Sequence, residues 1–287
     1  MQKKEKREDS IMDIRLIALD LDGTLCNSQR QVTERSMAAL KAAAEQGVHI
    51  VPTTGRLFHA MPQELLQCGF VRYGICMNGG QIYDAAEDRI LHRDEIPLDT
   101  AMRVYDYLEQ FPVAYDCYVN NGAMMERAFW ERLGEYIVGK PLDLAYSTKL
   151  RTPVEGFRAR LLEMGVPLQK IQAFMSDVSI RPRMLRELQE GFPELSVSFS
   201  LAYNIEINSA TATKGNALKK LCGHLGISAA QAAAFGDGTN DISMLQAAGY
   251  GVAMGNAVAE VKAAANYETA SNDDDGVALF IEKYVLK

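Results

Sequence analysis

The hydrophobic pattern of this chain changes style twice, and that double change limits its fold more than any other feature. From Ile14 to Leu19 the residues are almost continuously apolar, as in a strand buried on both faces of a parallel sheet. From Thr33 to Gln46 the period becomes helical, with Thr33 as N-cap, Met37, Leu40 and Ala44 on one face, and Gly47 at the end. Val48 to Pro52 and Tyr73 to Met77 read as further strands, with a helical stretch from Phe58 to Cys68 between them. Alternation of this kind predicts an open α/β sheet.

The first change comes at about Asp84. Gln81 to Tyr83 and Arg89 to His92 flank a polar turn as a hairpin does, and Val113, Tyr115, Cys117 and Val119 alternate strictly with other residues. Leu195, Val197, Phe199 and Leu201 alternate in the same way, as do Tyr203, Ile205 and Ile207. Helical stretches fall near 99–110, 128–138 and 182–190. Alternation means that one sheet face is wet or covered by different elements, so the middle third predicts an antiparallel α+β domain. After Asn208 the first style returns, with a helix over 214–225, strands at 231–235 and 250–254, and a last helix from Gly276. The organisation that follows is an α/β core over 13–83 and 208–287, an α+β domain inserted at 84–207, and a disordered tail at 1–12.

Charge and composition narrow the partners. Lys plus Arg number 30 against 37 Asp plus Glu, a net charge of −7, which argues against a protein built to hold a phosphate backbone. The charged start MQKKEKREDS and the carboxylates that interrupt the next apolar run give neither a signal sequence nor a spanning helix. The expectation is a soluble, cytoplasmic protein without a nucleic-acid or membrane partner. Five scattered cysteines without a C-x-x-C pair suit a reducing compartment, and four histidines lack ligand spacing. No zinc site is expected.

Chemistry is concentrated in four short segments. Asp20-Leu21-Asp22-Gly23-Thr24-Leu25 stands where the first buried strand ends, and ligands of open α/β sheets bind at the carboxyl ends of strands. Two carboxylates spaced this way can serve as metal ligand and nucleophile, and as acid and base. Gly236-Asp237-Gly238-Thr239-Asn240-Asp241 follows a second apolar strand. Alone it is an ordinary turn sequence; beside the first segment it makes a second wall of an all-oxygen site suited to Mg²⁺. Thr53-Thr54-Gly55-Arg56 and Thr213-Lys214-Gly215 add a hydroxyl, backbone N–H groups at a helix start and a lysine, the donors that a phosphate dianion needs.

In this order, the four segments resemble the four motifs of the haloacid dehalogenase superfamily. With Asn78-Gly79-Gly80 before the insertion and Asp274-Asp275-Gly276-Val277 near the end, the chain is similar to its Cof-type phosphatases. The resemblance implies a Rossmann-like parallel-sheet core with an inserted α+β cap, Mg²⁺ dependence, and phosphoryl transfer through an aspartyl-phosphate. It further implies that Asp20 is the nucleophile and a Mg²⁺ ligand, and that Asp22 is the acid and base and lends its backbone carbonyl to the metal. Asp237 would be the other protein metal ligand, and Asp241 would support that shell. Leu21, Thr54 and Gly55, the first and last through backbone N–H, would hold phosphoryl oxygens with Lys214 and Asn240. The substrate would be a small phosphate ester, such as a sugar or cofactor phosphate. A phosphomutase of the same superfamily and a non-catalytic phosphometabolite-binding protein are the alternatives.

Overall fold

The computed structural model describes residues 12–138, 141–199 and 201–286. The chain forms two compact units, one running up to Ile90 and resuming at Thr213, the other spanning Leu91–Ala212. The sequence pattern alone puts these divisions at 84 and 207. Of the expected N-terminal tail only Met12 lies within the described residues, and its N–H donates to the Tyr284 carbonyl at 2.9 Å.

The first unit is built on a parallel five-stranded sheet in the order Tyr267–Glu268, Tyr250–Ala253, Ala232–Gly236, Leu16–Leu19, His49–Pro52. Leu16–Leu19 is wholly buried, as a strand covered on both faces must be. Its register pairs Leu19 with Phe235 on one side and with Pro52 on the other. Asp20, Asp237 and Thr53 therefore leave three neighbouring strands at one edge of the sheet. The helix Glu34–Glu45 starts at Thr33, whose hydroxyl accepts from the Ser36 N–H at 3.1 Å. Helix Lys214–Leu225 is capped in the same way by Thr213.

The hairpin forms as Gln81–Asp84 and Arg89–Arg93, but its sheet partner is Tyr73–Cys76. The sequence pattern groups it with the antiparallel middle third. The Thr54 N–H reaches the Ile75 carbonyl at 2.8 Å, which ties this small sheet to the end of the parallel one. The stretch over 58–68 is helical only in pieces, a 3₁₀ turn at Phe58–Ala60 and a short helix at Gln63–Gln67. Pro62 divides them, having no N–H to continue the ladder.

The second unit carries a six-stranded sheet in the order Leu195–Ser198, Asn204–Ser209, Lys170–Met175, Val113–Val119, Gly122–Glu126, Arg151–Val154, antiparallel except for the last pair. The alternating Val113, Tyr115, Cys117 and Val119 face a core with Tyr105, Phe157 and Leu188. The other face is covered too, with Ala114 and Phe174 packed against Leu133 and Ile137. Three departures from the pattern occur here. The strand Lys170–Met175 lies near the centre of the sheet although Lys170 and Gln172 break its apolar run; they are buried with partners, Lys170 against Glu206 at 2.9 Å and Gln172 against Arg151 at 3.0 Å. The alternation from Leu195 stops at Ser198, leaving Phe199 exposed. The expected helix over 128–138 is two short ones, Arg127–Glu131 and Leu133–Tyr136, interrupted at Arg132, whose φ of −105° and ψ of 12° depart from helical values.

Candidate active site

At the shared edge of the parallel sheet, Asp20 is buried and its Oδ1 accepts from the Lys214 ammonium at 2.6 Å. The same ammonium donates to Asp241 Oδ1 at 2.6 Å. Lys214 is fully buried, so its charge is confined between two carboxylates. The second oxygen of Asp241 accepts the backbone N–H groups of Asp237 and Gly238, each at 3.0 Å. That fixes the turn following Ala232–Gly236 and presents Asp237. The Thr24 hydroxyl donates to Asp237 Oδ1 at 2.9 Å, joining the two aspartate loops directly.

These loops touch closely at Gly23. Its φ is +84°, and a Cβ placed there would sit 2.4 Å from Asp237 Oδ2. A side chain there would be strained by the backbone and would have to displace the Asp237 carboxylate. Leu21 is buried, and its carbonyl accepts the N–H groups of Thr24 and Cys26, which curls the loop back on itself.

Electrostatics decide what the cluster can hold. One carboxylate oxygen each from Asp20, Asp237 and Asp241 lies within 4.8 Å of the others. Three carboxylates against one ammonium leave negative charge in excess. Burial accordingly raises the Asp20 carboxyl well above the ordinary range, although Lys214 opposes the rise. Burial likewise pushes Asp237 up to about 6, against the Thr24 hydrogen bond. Burial works against the Lys214 ammonium, but Asp20 and Asp241 overcome it and hold the lysine charged. An all-oxygen set with negative charge in excess fits a hard divalent cation.

Asp22 is placed differently. Its carboxylate is half exposed and held by both arms of Arg56, with Nε to Oδ2 at 3.0 Å. Asp241, which the resemblance puts in a supporting role, is the third member of the buried acidic cluster. Thr54 is buried, and its hydroxyl accepts from the Arg56 N–H at 3.3 Å. Gly55 packs against the Asn78 carboxamide, and Asn240 donates to Asn78 Oδ1 at 3.4 Å. The sequence motifs give no individual role to Arg56, Thr24 or Asn78. All three stand inside the segments T-G-R, D-G-T and N-G-G, so the signal was their adjacency to named residues.

A family model described as haloacid dehalogenase-like hydrolase matches residues 17–281. The chain belongs to that family. Its kinship within the haloacid dehalogenase-like hydrolases is with phosphatases of the Cof type. It is 32% identical over 281 residues to Phosphatase YwpJ of Bacillus subtilis, covering 92% of this chain and 98% of the relative. It is 31% identical over 285 residues to the 5-amino-6-(5-phospho-D-ribitylamino)uracil phosphatase YcsE of the same organism, covering 98% and 99%. A crystal structure of a haloacid dehalogenase-like hydrolase from Bacteroides thetaiotaomicron superposes with a TM-score of 0.79 at 29% identity, covering 94% of this chain and 98% of that one. As a member of the family, the chain is a phosphatase-type hydrolase with a parallel-sheet core. No helix among the described residues is long and apolar enough to cross a membrane.

Proposed function

We propose that the protein is a Mg²⁺-dependent phosphatase that hydrolyses monoesters of small phosphorylated metabolites by way of a phosphoryl group carried on Asp20. The observation that carries this reading is the buried Asp20 carboxylate, fixed by Lys214 beside Asp237 and Asp241, with Asp22 two residues further on. An Asp20 oxygen attacks phosphorus while the bond to the leaving oxygen breaks, and Asp22 gives that oxygen its proton. Asp22 then takes a proton from the water that attacks the aspartyl-phosphate, releasing inorganic phosphate and restoring Asp20. Lys214, the Thr54 hydroxyl and backbone N–H groups at Leu21 and Gly55 hold the phosphoryl oxygens, and Asn240 adds its carboxamide.

A phosphate dianion approaching these carboxylates is repelled unless cations intervene. Mg²⁺ held by Asp20, Asp237 and the Asp22 carbonyl, with Asp241 beside them, would supply two positive charges against that repulsion and against the charge of the transition state. Lys214 supplies the third. Uncatalysed monoester hydrolysis is slow enough to need accelerations of up to about 10²¹-fold, and splitting it at a covalent intermediate lowers each barrier.

The relative YcsE, named for a phosphoribitylamino-uracil, supports a sugar-like phosphate as the substrate class. Specificity is assigned to the unit Leu91–Ala212, which supplies none of the carboxylate–lysine cluster. Five free thiols suit a reducing compartment, and we place the enzyme in the cytoplasm. The deciding experiment is phosphate release from a panel of sugar, nucleotide and cofactor phosphates, with Mg²⁺ or EDTA, in wild type and Asp20→Asn. Mg²⁺-dependent release that the variant lacks upholds the reading. Isomerised phosphate esters without free phosphate would make the protein a phosphomutase, and binding without turnover a sensor.

A further inference from the structure

Met77, Asn78 and Gly79 form a turn in which all three residues are left-handed, with φ of 51°, 59° and 107°. That region is disfavoured for residues with a Cβ, and asparagine is among the few that tolerate it. Two such residues in succession, both buried, persist only where their surroundings fix them, and such outliers gather at functional sites.

The surroundings here are the proposed phosphate-holding segments themselves. The Met77 N–H donates to the Arg56 carbonyl at 3.1 Å and the Asn78 N–H to the Thr54 carbonyl at 3.0 Å, so the turn holds both ends of the 54–56 loop. On its far side it lies flush against the helix that carries Lys214. A Cβ on Gly79 would stand 2.3 Å from the Thr213 carbonyl oxygen and 3.0 Å from the Lys214 backbone nitrogen. Only glycine allows that approach. The Asn78 carboxamide points between the remaining pieces, with Oδ1 accepting from Asn240 Nδ2 at 3.4 Å and lying 3.1 Å from where a Cβ on Gly55 would be.

We propose that Asn78 is a positioning residue of the phosphoryl site, orienting Asn240 and the 54–56 loop toward the phosphate; this rests on the phosphatase reading above. The residue type follows from two demands. The backbone must be left-handed, which disfavours β-branched side chains and favours asparagine or glycine, and the oriented group must add no negative charge next to a dianion, which excludes aspartate. Asparagine meets both and offers an acceptor to Asn240.

The test compares wild type, Asn78→Gly, Asn240→Ala and the double variant. Glycine keeps the left-handed turn while removing the side chain that carries the carboxamide. The readouts are kcat/KM for phosphate release from p-nitrophenyl phosphate with Mg²⁺, orthophosphate affinity by calorimetry, and the melting midpoint. Asn78→Gly is expected to lower kcat/KM about tenfold with little change in midpoint, and the double variant to stay within about twofold of Asn240→Ala, as coupled neighbours do. Losses that simply multiply would overturn the proposal. So would a lowered midpoint with normal kcat/KM per folded molecule, the mark of a purely structural asparagine. If wild type releases no phosphate, the phosphatase reading falls, and the orthophosphate affinities decide. Non-additive weakening then upholds Asn78 as a positioning residue, and additive weakening or none overturns it.

Discussion

Arg56 grips the Asp22 carboxylate with both arms of its guanidinium, and the arginine is the more buried of the two. The acid–base candidate is thus oriented by a residue of the adjacent phosphate loop. Arg56→Lys keeps the charge and loses the fork. We expect kcat to fall about tenfold for alkyl phosphates, whose leaving oxygen needs a proton, and much less for p-nitrophenyl phosphate, a fraction of the 10²–10⁴ typical of general acid–base catalysis. Equal losses on both substrates would show that Arg56 does not act through Asp22.

The two aspartates of the first loop are expected to fail differently. Asp20→Asn should abolish turnover, because it removes the carboxylate proposed to carry the phosphoryl group. Asp22→Asn should retain about 10⁻² to 10⁻⁴ of the rate, the loss expected for a missing acid–base. Single-turnover assays with Mg²⁺ measure both, and wild-type-like activity in Asp20→Asn would remove the nucleophile assignment.

Lys214→Met leaves Asp20 and Asp241 facing each other without the cation between them. Breaking a buried charge pair costs about 3–5 kcal/mol, so urea unfolding in EDTA should show a loss of that order. A divalent cation can take over part of the neutralisation, and ligand binding to the native state raises stability by mass action. Mg²⁺ should therefore raise the midpoint of the variant more than that of wild type. An equal or absent Mg²⁺ effect would place the metal away from these carboxylates.

Asp84 offers a test of pH dependence away from the chemistry. Its carboxylate is buried and accepts from Arg72 Nε and a second Arg72 nitrogen at 3.1 and 2.8 Å, and from the Ala86 N–H at 3.0 Å. The Arg72 hydrogen bonds hold its carboxyl below the ordinary value of 3.8. A depressed folded value means that this stabilisation is complete above the unfolded value and disappears as pH falls through the folded one. Asp84→Asn should cost about 1–2 kcal/mol at neutral pH, with the difference from wild type shrinking below pH 3.8. Parallel stability curves down to pH 2 would refute the assignment.

Much of the core was legible because burial on both faces writes itself directly into sequence. Leu16–Leu19 and Ala232–Gly236 are apolar throughout, and the acids appear where each run ends. Lys170–Met175 was illegible for the opposite reason, since its lysine and glutamine are buried against Glu206 and Arg151, partners distant in the chain. Pairing is a tertiary fact that a local pattern does not carry. The hairpin at 81–93 shows the same limit, because its alternation reveals two strands and nothing about the third that joins them. At the site, residue types and order were readable, whereas the Arg56 fork and the left-handed turn at 77–79 depend on which loops meet.

The ion pair between Asp20 and Lys214 joins positions 194 residues apart. At the usual rates of synthesis, the lysine follows its aspartate out of the ribosome by about 10–40 s. Throughout that interval the first strand exists without the charge that makes its end tolerable in a buried setting, and without Ala232–Gly236 beside it. Such long-range pairings form late and slowly. The nascent chain therefore cannot assemble its phosphoryl site ahead of time, and catalytic competence arrives only after the inserted unit and the returning lysine have been made.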